Sequence, residues 1–338
     1  MSFPTSVFPD TSVFAGQQYN FASAALASFV PVARKHSLAF LLPDPTEREI
    51  RRQIEERSQD ALNALGEARR RAPFLVKWEH FPQKTSTVTN WKVRQVAFQE
   101  WKAFLGQFNV QKLNYADIDV AEVMRWYDKV IPPFREGKKR KEFPDAFAVA
   151  ILAAYASKTE STIAIVSEDG DFKLACDRYP SLLYFKSLPV LTELLLAPPE
   201  EIETLRAAVL AGVGSLDKSI SEAASKLIVV HEDSDYEIDE TNIASVLISD
   251  IRVVAVGHSE CTLTFEAEVE LENHLFWREW DDYHEDHSTE SKWILESTLI
   301  SGAVKVALNP ETHSIAEVLL VSLDQDFLEV RENPRTRW

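Results

Sequence analysis

The sequence predicts an α/β domain with a parallel sheet, followed by a smaller antiparallel β-rich domain. Over the first two thirds of the 338 residues, short apolar runs alternate with long helical patterns, which is typical of a parallel sheet flanked by helices. After residue 240 the apolar runs are β-branched and alternate with period two, which predicts an antiparallel sheet with one face in water. The net charge also differs between the two parts of the chain. Residues 231–338 hold 25 Asp and Glu against 7 Lys and Arg, a net charge of −18, whereas residues 1–230 have a net charge of +1.

These patterns divide the chain into three regions. Residues 1–195 are predicted to form the α/β domain, in which residues 74–135 are a helical insert. Residues 196–240 are predicted to be a connecting helix and an acidic linker, and residues 241–338 to be the acidic β-rich domain. Because a strongly acidic domain repels nucleic acid, we assign residues 241–338 to contact with a protein partner, to self-association or to restraint of the first domain.

The first two strand candidates each lead to an acidic residue. "SVF" ends at Pro9-Asp10, and "SLAFLL" (37–42) leads into a long helical pattern. Asp44 is predicted as the N-cap of that helix, with proline at the first helical position and Glu47 closing a capping box. Glu47 competes with a second glutamate, Glu49, for a functional role, but the capping box accounts for Glu47. The structural alternative for Glu49 is one more solvated charge on this helix.

A stripe of apolar residues lies inside the predicted helical insert. Its members are spaced 4, 4, 3 and 4 residues apart and lie on one face of a helix: Val93, Ala97, Trp101, Phe104 and Phe108. Such aromatic side chains could stack on nucleic-acid bases. A stripe at helical spacing is more often part of a core, and we favour that interpretation.

The second half of the α/β domain repeats the pattern of a strand followed by acid. "FPDAFAVAILAAYASK" predicts a nearly all-apolar helix that begins at Pro144-Asp145. "IAIV" (163–166) is the next strand candidate and is followed by Asp169 and Asp171. "LLYFKSL" is predicted to be a further strand, and a connecting helix is predicted from Leu195 onward.

Composition excludes several classes of protein. A content of 45% hydrophobic residues supports a sizeable core, and two cysteines without a CxxC pair indicate a reducing cytoplasm. We see no signal peptide and no apolar stretch long enough for a membrane helix, so a soluble cytoplasmic protein without membrane contact is expected. P-loop, GxSxG and zinc-binding CxxC motifs are absent from the sequence.

The acidic residues at the strand ends predict a metal site. In a parallel sheet, strand ends and the starts of the following helices lie along one edge. Five carboxylates from four chain segments would meet there: Asp10, Glu49, Asp145, Asp169 and Asp171. Each has a structural alternative, such as capping a helix or forming a turn. Those alternatives do not explain why every strand edge in this half carries an acid.

Such a group of carboxylates suits a hard divalent cation. Mg²⁺ and Mn²⁺ prefer oxygen ligands, and like charges about 4 to 6 Å apart are unfavourable unless a cation lies between them. One or two bound metals can activate water and polarise a phosphodiester. Four basic residues just before Asp145 could hold the backbone of a polyanion, although a solvated basic loop explains them equally well: Lys138, Lys139, Arg140 and Lys141.

Four segments in this order resemble a PIN domain, the fold of metal-dependent nucleases. They are Asp10-Thr11-Ser12, "EREI" (47–50), "EFPDAFAVAIL" (142–152) and "IVSEDGDF" (165–172). The resemblance covers about residues 1–195, and the insert and the β-rich extension are similar to those of large bacterial PIN-like proteins. Proline at position 9 departs from the aliphatic strand that usually leads to the first acid, which puts full activity in question but not the fold.

The resemblance implies a function and a role for each residue. Asp10, Glu49, Asp145 and Asp169 would be metal ligands, directly or through water, and Asp171 an additional one. Thr11 and Ser167 would provide hydroxyls next to the ligands, and Glu142 could also reach the site. The implied reaction is hydrolysis of single-stranded RNA, or sometimes DNA, by metal-activated water, which leaves a 5′-phosphate and a 3′-hydroxyl. The alternatives are a structure-specific or single-strand DNA nuclease, or a catalytically silent PIN-like scaffold that acts through the acidic domain.

Overall fold

In the computed structural model the chain forms two units, Met1–Phe21 with Val30–Leu191 and Ala22–Phe29 with Thr192–Trp338. The structure describes residues 3–77, 90–116, 118–135, 142–196, 199–233, 235–256, 260–281, 286–309 and 314–332. The first unit contains a parallel sheet with helices and the second an antiparallel sheet, so the predicted fold class is confirmed. Within these ranges, every helix is too short or too polar to cross a membrane.

The sheet of the first unit has five parallel strands in the order β3-β2-β1-β4-β5. The chain builds outward from β1 to β3 and then returns to the other side of β1 for β4, so the strand order reverses between β1 and β4. Ligands of open parallel sheets bind outside the carboxyl ends of strands at such a point. The strands are β1 (Ser6–Pro9), β2 (Ala39–Pro43), β3 (Asn109–Leu113), β4 (Ile163–Val166) and β5 (Leu182–Phe185).

Pro9 is accommodated at the end of the central strand. It lies opposite Val166 of β4, whereas the pairing of β1 with β2 ends at Val7. The missing N–H of proline therefore removes no bond to β2, in keeping with the position of proline at strand ends. The next residue continues the ladder, because the Asp10 N–H donates to the Val166 carbonyl at 2.8 Å. Asp10 thus lies just past the sheet.

Helices cover both faces of this sheet. On one face Phe8 and Ile165 pack with α6, whose buried residues include Leu152, and this burial explains why α6 is apolar almost all round. On the other face, Phe40 contacts Phe104 in an aromatic cluster with α4. The helices are α1 (Thr11–Gly16), α2 (Ala24–Lys35), α3 (Asp44–Arg71), α4 (Asn90–Leu105), α5 (Val120–Asp128), α6 (Phe143–Thr159) and α7 (Gly170–Cys176), with a 3₁₀ turn at Pro73–Lys77.

The aromatic members of the stripe pack into the core, as we favoured, whereas its first two members are partly exposed. Trp101 and Phe104 are both 2% exposed, and they pack edge-on against Phe14 of α1. Phe108 follows the end of the helix and packs on Phe40 of β2. These aromatic side chains therefore support the sheet and are not available to bases.

Two local predictions for the first unit were wrong. Helix α3 begins at Asp44 with Pro43 as its N-cap and no side-chain cap, so there is no capping box. Glu47 instead forms an ion pair with Lys112 of β3 at 2.6 Å. The stretch 74–135 is not wholly helical either, because it contains β3. That strand is at the edge of the sheet and carries polar side chains, "NVQKL", so it lacks the apolar run that marks a buried strand.

The second unit combines helices with two sheets. Its antiparallel sheet has the order β10-β9-β8-β7, and β6 pairs with β11 in a two-stranded parallel sheet. The predicted linker at 231–240 is partly strand, since β7 begins at Tyr236. The remaining elements are α8 (Leu188–Leu196), α9 (Pro199–Leu210), α10 (Val213–Ala224), β6 (Ile228–His231), β7 (Tyr236–Val256), β8 (Glu260–Asp281), β9 (Asp286–Leu308), β10 (Ile315–Leu323) and β11 (Phe327–Val330).

Strand β8 shows the alternation that the sequence predicts. Leu263, Phe265 and Val269 are buried in the core of the second unit, whereas Glu266 and Glu268 between them are exposed. One face of the sheet is therefore apolar and buried. On the other face, β8, one of the two central strands, carries negative charge.

A glycine on β9 permits the close approach of β10. A Cβ atom at Gly302 would lie 2.2 Å from the Ser322 carbonyl oxygen, a backbone atom that cannot move aside. We expect Gly302→Ala to lower the free energy of unfolding by about 1–3 kcal/mol, as overpacking usually does. Urea denaturation of both proteins measures the loss. Gly214→Ala is the control, since a Cβ there meets nothing within 4 Å, and equal losses for the two variants would contradict this account.

Candidate metal centre

Asp10 lies at the carboxyl end of β1, next to the point where the strand order reverses. It is only 6% exposed, and its side chain caps α1 by accepting a hydrogen bond from the Ser12 N–H. The same oxygen, Oδ2, accepts from the Ser12 hydroxyl at 2.7 Å and the Ser167 hydroxyl at 3.0 Å. The Thr11 hydroxyl donates to Oδ1 at 3.3 Å. The Asp10 carboxylate is therefore held in one orientation by the segments that follow β1 and β4.

The turn after β4 brings Asp169 to the same place. The Asp169 side chain accepts from the Asp171 N–H at 2.8 Å and caps α7. Its own N–H donates to the Ser167 hydroxyl at 3.1 Å, so Ser167 bridges Asp169 and Asp10. "SEDGD" is thus both a turn with a helix cap and one wall of an acidic cluster.

Glu49 comes from the second turn of α3 and is 26% exposed. Its Oε1 accepts from Gln53 at 3.0 Å, and the Tyr19 hydroxyl donates to Gln53 at 2.7 Å. This chain of hydrogen bonds limits the rotamers of Glu49. Glu47, the competing residue, points instead to β3, so α3 presents Glu49 to the cluster.

The first turn of α6 adds Asp145, and Glu142 precedes it as the N-cap. One carboxylate oxygen from each of Glu142, Asp169 and Asp171 lies within 4.8 Å of the other two. Glu142, which we considered only a possible contributor, is therefore within the cluster.

Asp171 is the most deeply buried of these acids and forms an ion pair with Arg135. Its side chain is 1% exposed, whereas that of Arg135 is 47% exposed. A buried carboxylate needs a charged or hydrogen-bonding partner, and Arg135 supplies one. This contact gives Asp171 a structural role beside the predicted one as a ligand. Arg135 lies far from Asp171 in the chain, and no sequence motif linked the two residues.

Asp145 is largely buried and lies near several of the other acids. Burial penalises its charged form and is the main cause that raises the pKa of Asp145 from 3.8 to about 8. Negative charges nearby contribute further, and they come from all four segments of the cluster: Asp10, Glu49, Glu142 and Asp169. The structure thus brings Asp145 near each of the other predicted acids except Asp171, which joins through Asp169.

The donor set fits a hard divalent cation. All the side chains in the cluster offer carboxylate oxygens, the ligands that Mg²⁺ and Mn²⁺ prefer. A cation would offset the negative charges that, after burial, contribute to the raised pKa of Asp145. The hydroxyls of Ser12, Thr11 and Ser167 orient Asp10, as outer partners of a metal site do. Ser12 is the residue of this group to which our sequence analysis gave no task, although it stands two residues after a strand-end Asp.

A groove of about 340 Å³ opens beside Glu49. Arg48, Arg52 and Phe143 are among the residues that line it. It can therefore accept a group that is both anionic and flat. The predicted basic contacts, Lys138, Lys139, Arg140 and Lys141, lie outside the described residues, and their role stays a prediction.

Comparison with known proteins agrees with the geometry. A family model described as PIN domain matches residues 7–172, a range that begins in β1, ends in α7 and contains all five predicted acids. Neither curated proteins nor solved structures gave a match to the chain. The matched range holds four of the five parallel strands, β1 to β4, with the helices between them and the acidic cluster at the switch point. The chain therefore carries a PIN-like domain over residues 7–172.

Proposed function

We propose that the N-terminal unit is an endoribonuclease that hydrolyses single-stranded RNA with Mg²⁺ or Mn²⁺. The observation that carries the proposal is the meeting of carboxylates from separate chain segments at the switch point of the sheet. PIN domains are nucleases as a family, and such a cluster has a clear use in cleaving phosphodiesters. The residues that would hold the cation are Asp10, Glu49, Asp145 and Asp169, with Asp171 as an additional ligand.

Each residue has a task in this proposal. A divalent cation bound there supplies Lewis acidity toward water and toward the phosphate. Ser12 and Ser167 keep Asp10 oriented through their hydrogen bonds. Arg135 balances the charge of Asp171. The products would be a 5′-phosphate and a 3′-hydroxyl.

Positive charge beside the centre would hold the strand. Arg48 and Arg52 line the groove next to Glu49, and their side chains are 73% and 62% exposed. Exposed ion pairs such as theirs with Asp44 and Glu49 contribute little, so a phosphate can replace them. The basic segment at 138–141 would add to this field.

The acidic second unit is proposed to bind protein, either a basic partner or another copy of the chain. Glu266 and Glu268 on β8 are exposed, and Leu299 on the neighbouring strand is 72% exposed. This combination of negative charge and apolar surface suits a basic, amphipathic protein segment and does not suit nucleic acid.

Cleavage of labelled oligonucleotides tests the nuclease proposal. We expect single-stranded RNA to be cut with Mg²⁺ or Mn²⁺, not with a chelator, and cut more slowly by Asp169→Asn. Asp177→Asn is the matched control, since Asp177 is an exposed acid at the other end of α7. Preferential cleavage of single-stranded DNA would favour the DNA nuclease instead. If none of the three proteins cleaves RNA or DNA with either metal, the nuclease proposal fails and the catalytically silent scaffold is favoured.

A further inference from the structure

A second groove lies between α3 and α4, outside the metal centre, with a volume of about 360 Å³. Besides two glutamines, its lining consists of three cations, one anion and two aromatic side chains: Arg51, Arg94, Lys102, Glu55, Trp91 and Phe98. The net charge of these residues is +2, in a chain whose total is −17. Positive charge beside aromatic side chains is the composition of a surface that binds single-stranded nucleic acid.

The two helices run in opposite directions along this groove, which fixes the order of the lining residues from one end of the groove to the other. Arg94 contacts Glu55 at 3.3 Å, and the Arg51 guanidinium lies over the Phe98 ring at 5.5 Å. Moving forward along α3 thus means moving backward along α4. Arg51 is about 3 Å along the helix axis from Glu49, on a different side of α3. Lys102 is therefore at the end near the metal centre, and Trp91 at the far end.

The cations of the groove can exchange their present partners for phosphates. The pair of Arg94 and Glu55 is half-exposed on both sides, and Arg51 meets Glu47 only at 3.7 Å. Surface ion pairs of this kind have a small net free energy, and phosphates compete for arginine well because they accept two hydrogen bonds at once.

Trp91 is the feature that favours a nucleic acid as the ligand. It is 59% exposed at the first turn of α4, whereas Trp101 on the same helix is 2% exposed. A tryptophan that leaves its ring in water next to arginines offers a flat surface for a base. Stacking of this kind typically changes affinity by roughly 5- to 150-fold per base.

We propose that this groove binds the substrate strand beyond the metal centre, with Trp91 stacking on a base and Arg51, Arg94 and Lys102 contacting phosphates. The inference rests on the proposed nuclease function, which it deepens by assigning a binding site for strands longer than the few nucleotides that the centre itself holds. Arg48, which lines the groove beside Glu49, lies three residues before Arg51 and therefore neighbours it on the surface of α3.

Binding without cleavage tests this site independently of the metal. The full chain is titrated into fluorescein-labelled oligouridine and oligothymidine of about 16 nucleotides in chelator, and anisotropy gives the dissociation constant. We expect Trp91→Ala to weaken binding about 10-fold and Trp91→Phe to restore part of it. Trp293→Ala is the control, because Trp293 is a partly exposed tryptophan of the second unit. Circular dichroism verifies that the variants are folded.

The salt dependence of binding tests the proposed phosphate contacts separately. We expect Arg94→Ala to reduce the slope of log affinity against log salt concentration by about 0.7, the value of one phosphate contact on a single strand. Arg70→Ala removes the same charge from the far end of α3, where Arg70 pairs with Glu67 at 3.1 Å, and should leave the slope unchanged.

The outcomes separate the two proposals. If Trp91→Ala and Arg94→Ala bind like the wild type, the groove is not a nucleic-acid site, whether or not the chain cleaves RNA. If they weaken binding while the wild type cleaves nothing with Mg²⁺ or Mn²⁺, the groove stands and the nuclease proposal fails.

Discussion

Replacing Asp10 with asparagine is expected to lower metal-dependent cleavage at least about 100-fold. Removal of a group that only orients a metal ligand typically costs about 10- to 100-fold, and loss of a ligand's own charge should exceed that. Asparagine has nearly the same shape as aspartate, and its oxygen can still accept from the Ser12 and Ser167 hydroxyls, which contact Asp10 at 2.7 and 3.0 Å. The expected fall in cleavage therefore comes from the missing negative charge at the switch point and not from altered packing.

Ser12→Ala tests the hydrogen bond that orients the Asp10 carboxylate separately from its charge. It removes the 2.7 Å hydrogen bond to Asp10 and leaves the charge, so we expect an intermediate loss of about 10-fold. Single-turnover cleavage of labelled RNA measures both variants, and thermal melting shows whether they are folded. Activity of Asp10→Asn within threefold of the wild type would remove Asp10 from the centre.

The second large effect concerns the stability of the metal-free protein. Burial, with the surrounding negative charges, raises the pKa of Asp145 from 3.8 to about 8. The folded state therefore binds a proton more tightly than the unfolded state does. The stability that this proton supplies is complete below pH 3.8 and is lost progressively as the pH rises to about 8. Between pH 5 and pH 8.5 we expect a loss on the order of 4 kcal/mol from this group.

Asp145→Asn should not show that loss, because asparagine does not titrate. Guanidine denaturation in chelator at the two pH values gives the difference for each protein, and Asp60→Asn, at an exposed acid of α3, is the control. Mn²⁺ at pH 8.5 should restore stability to the wild type far more than to Asp145→Asn. The same pH dependence in the wild type and in Asp145→Asn would show that the carboxylates do not interact as described.

Much of the fold could be predicted because most elements carry strong local patterns. The apolar run of β4 and the nearly all-apolar α6 occupy the centre of the first unit. Strand β3 escaped prediction because its edge position leaves polar side chains exposed. The start of α3 was misplaced by one residue, since Pro43 has the extended conformation of an N-cap and Asp44 is already helical.

The predicted acids follow from the topology of a parallel sheet, whereas their partners do not. Asp10 and Asp169 mark strand ends in the sequence, and any parallel arrangement brings such ends to one edge. The contact of Arg135 with Asp171 and the place of Glu142 beside Asp169 depend on how loops pack. Nothing in the local sequence encodes those distances. The groove with Trp91 likewise needs both helices in place before its composition has meaning.

The most direct test of the metal centre is a crystal of the protein soaked in Mn²⁺, examined by anomalous diffraction at the manganese edge. We expect at least one peak bonded to carboxylate oxygens from the end of β1 and the turn after β4, those of Asp10 and Asp169, with Glu49 or Asp145 as further direct or water-mediated ligands. The peak should disappear in crystals of Asp10→Asn. A well-diffracting crystal with no peak at the end of β1, or with peaks only on surface acids elsewhere, would contradict the account.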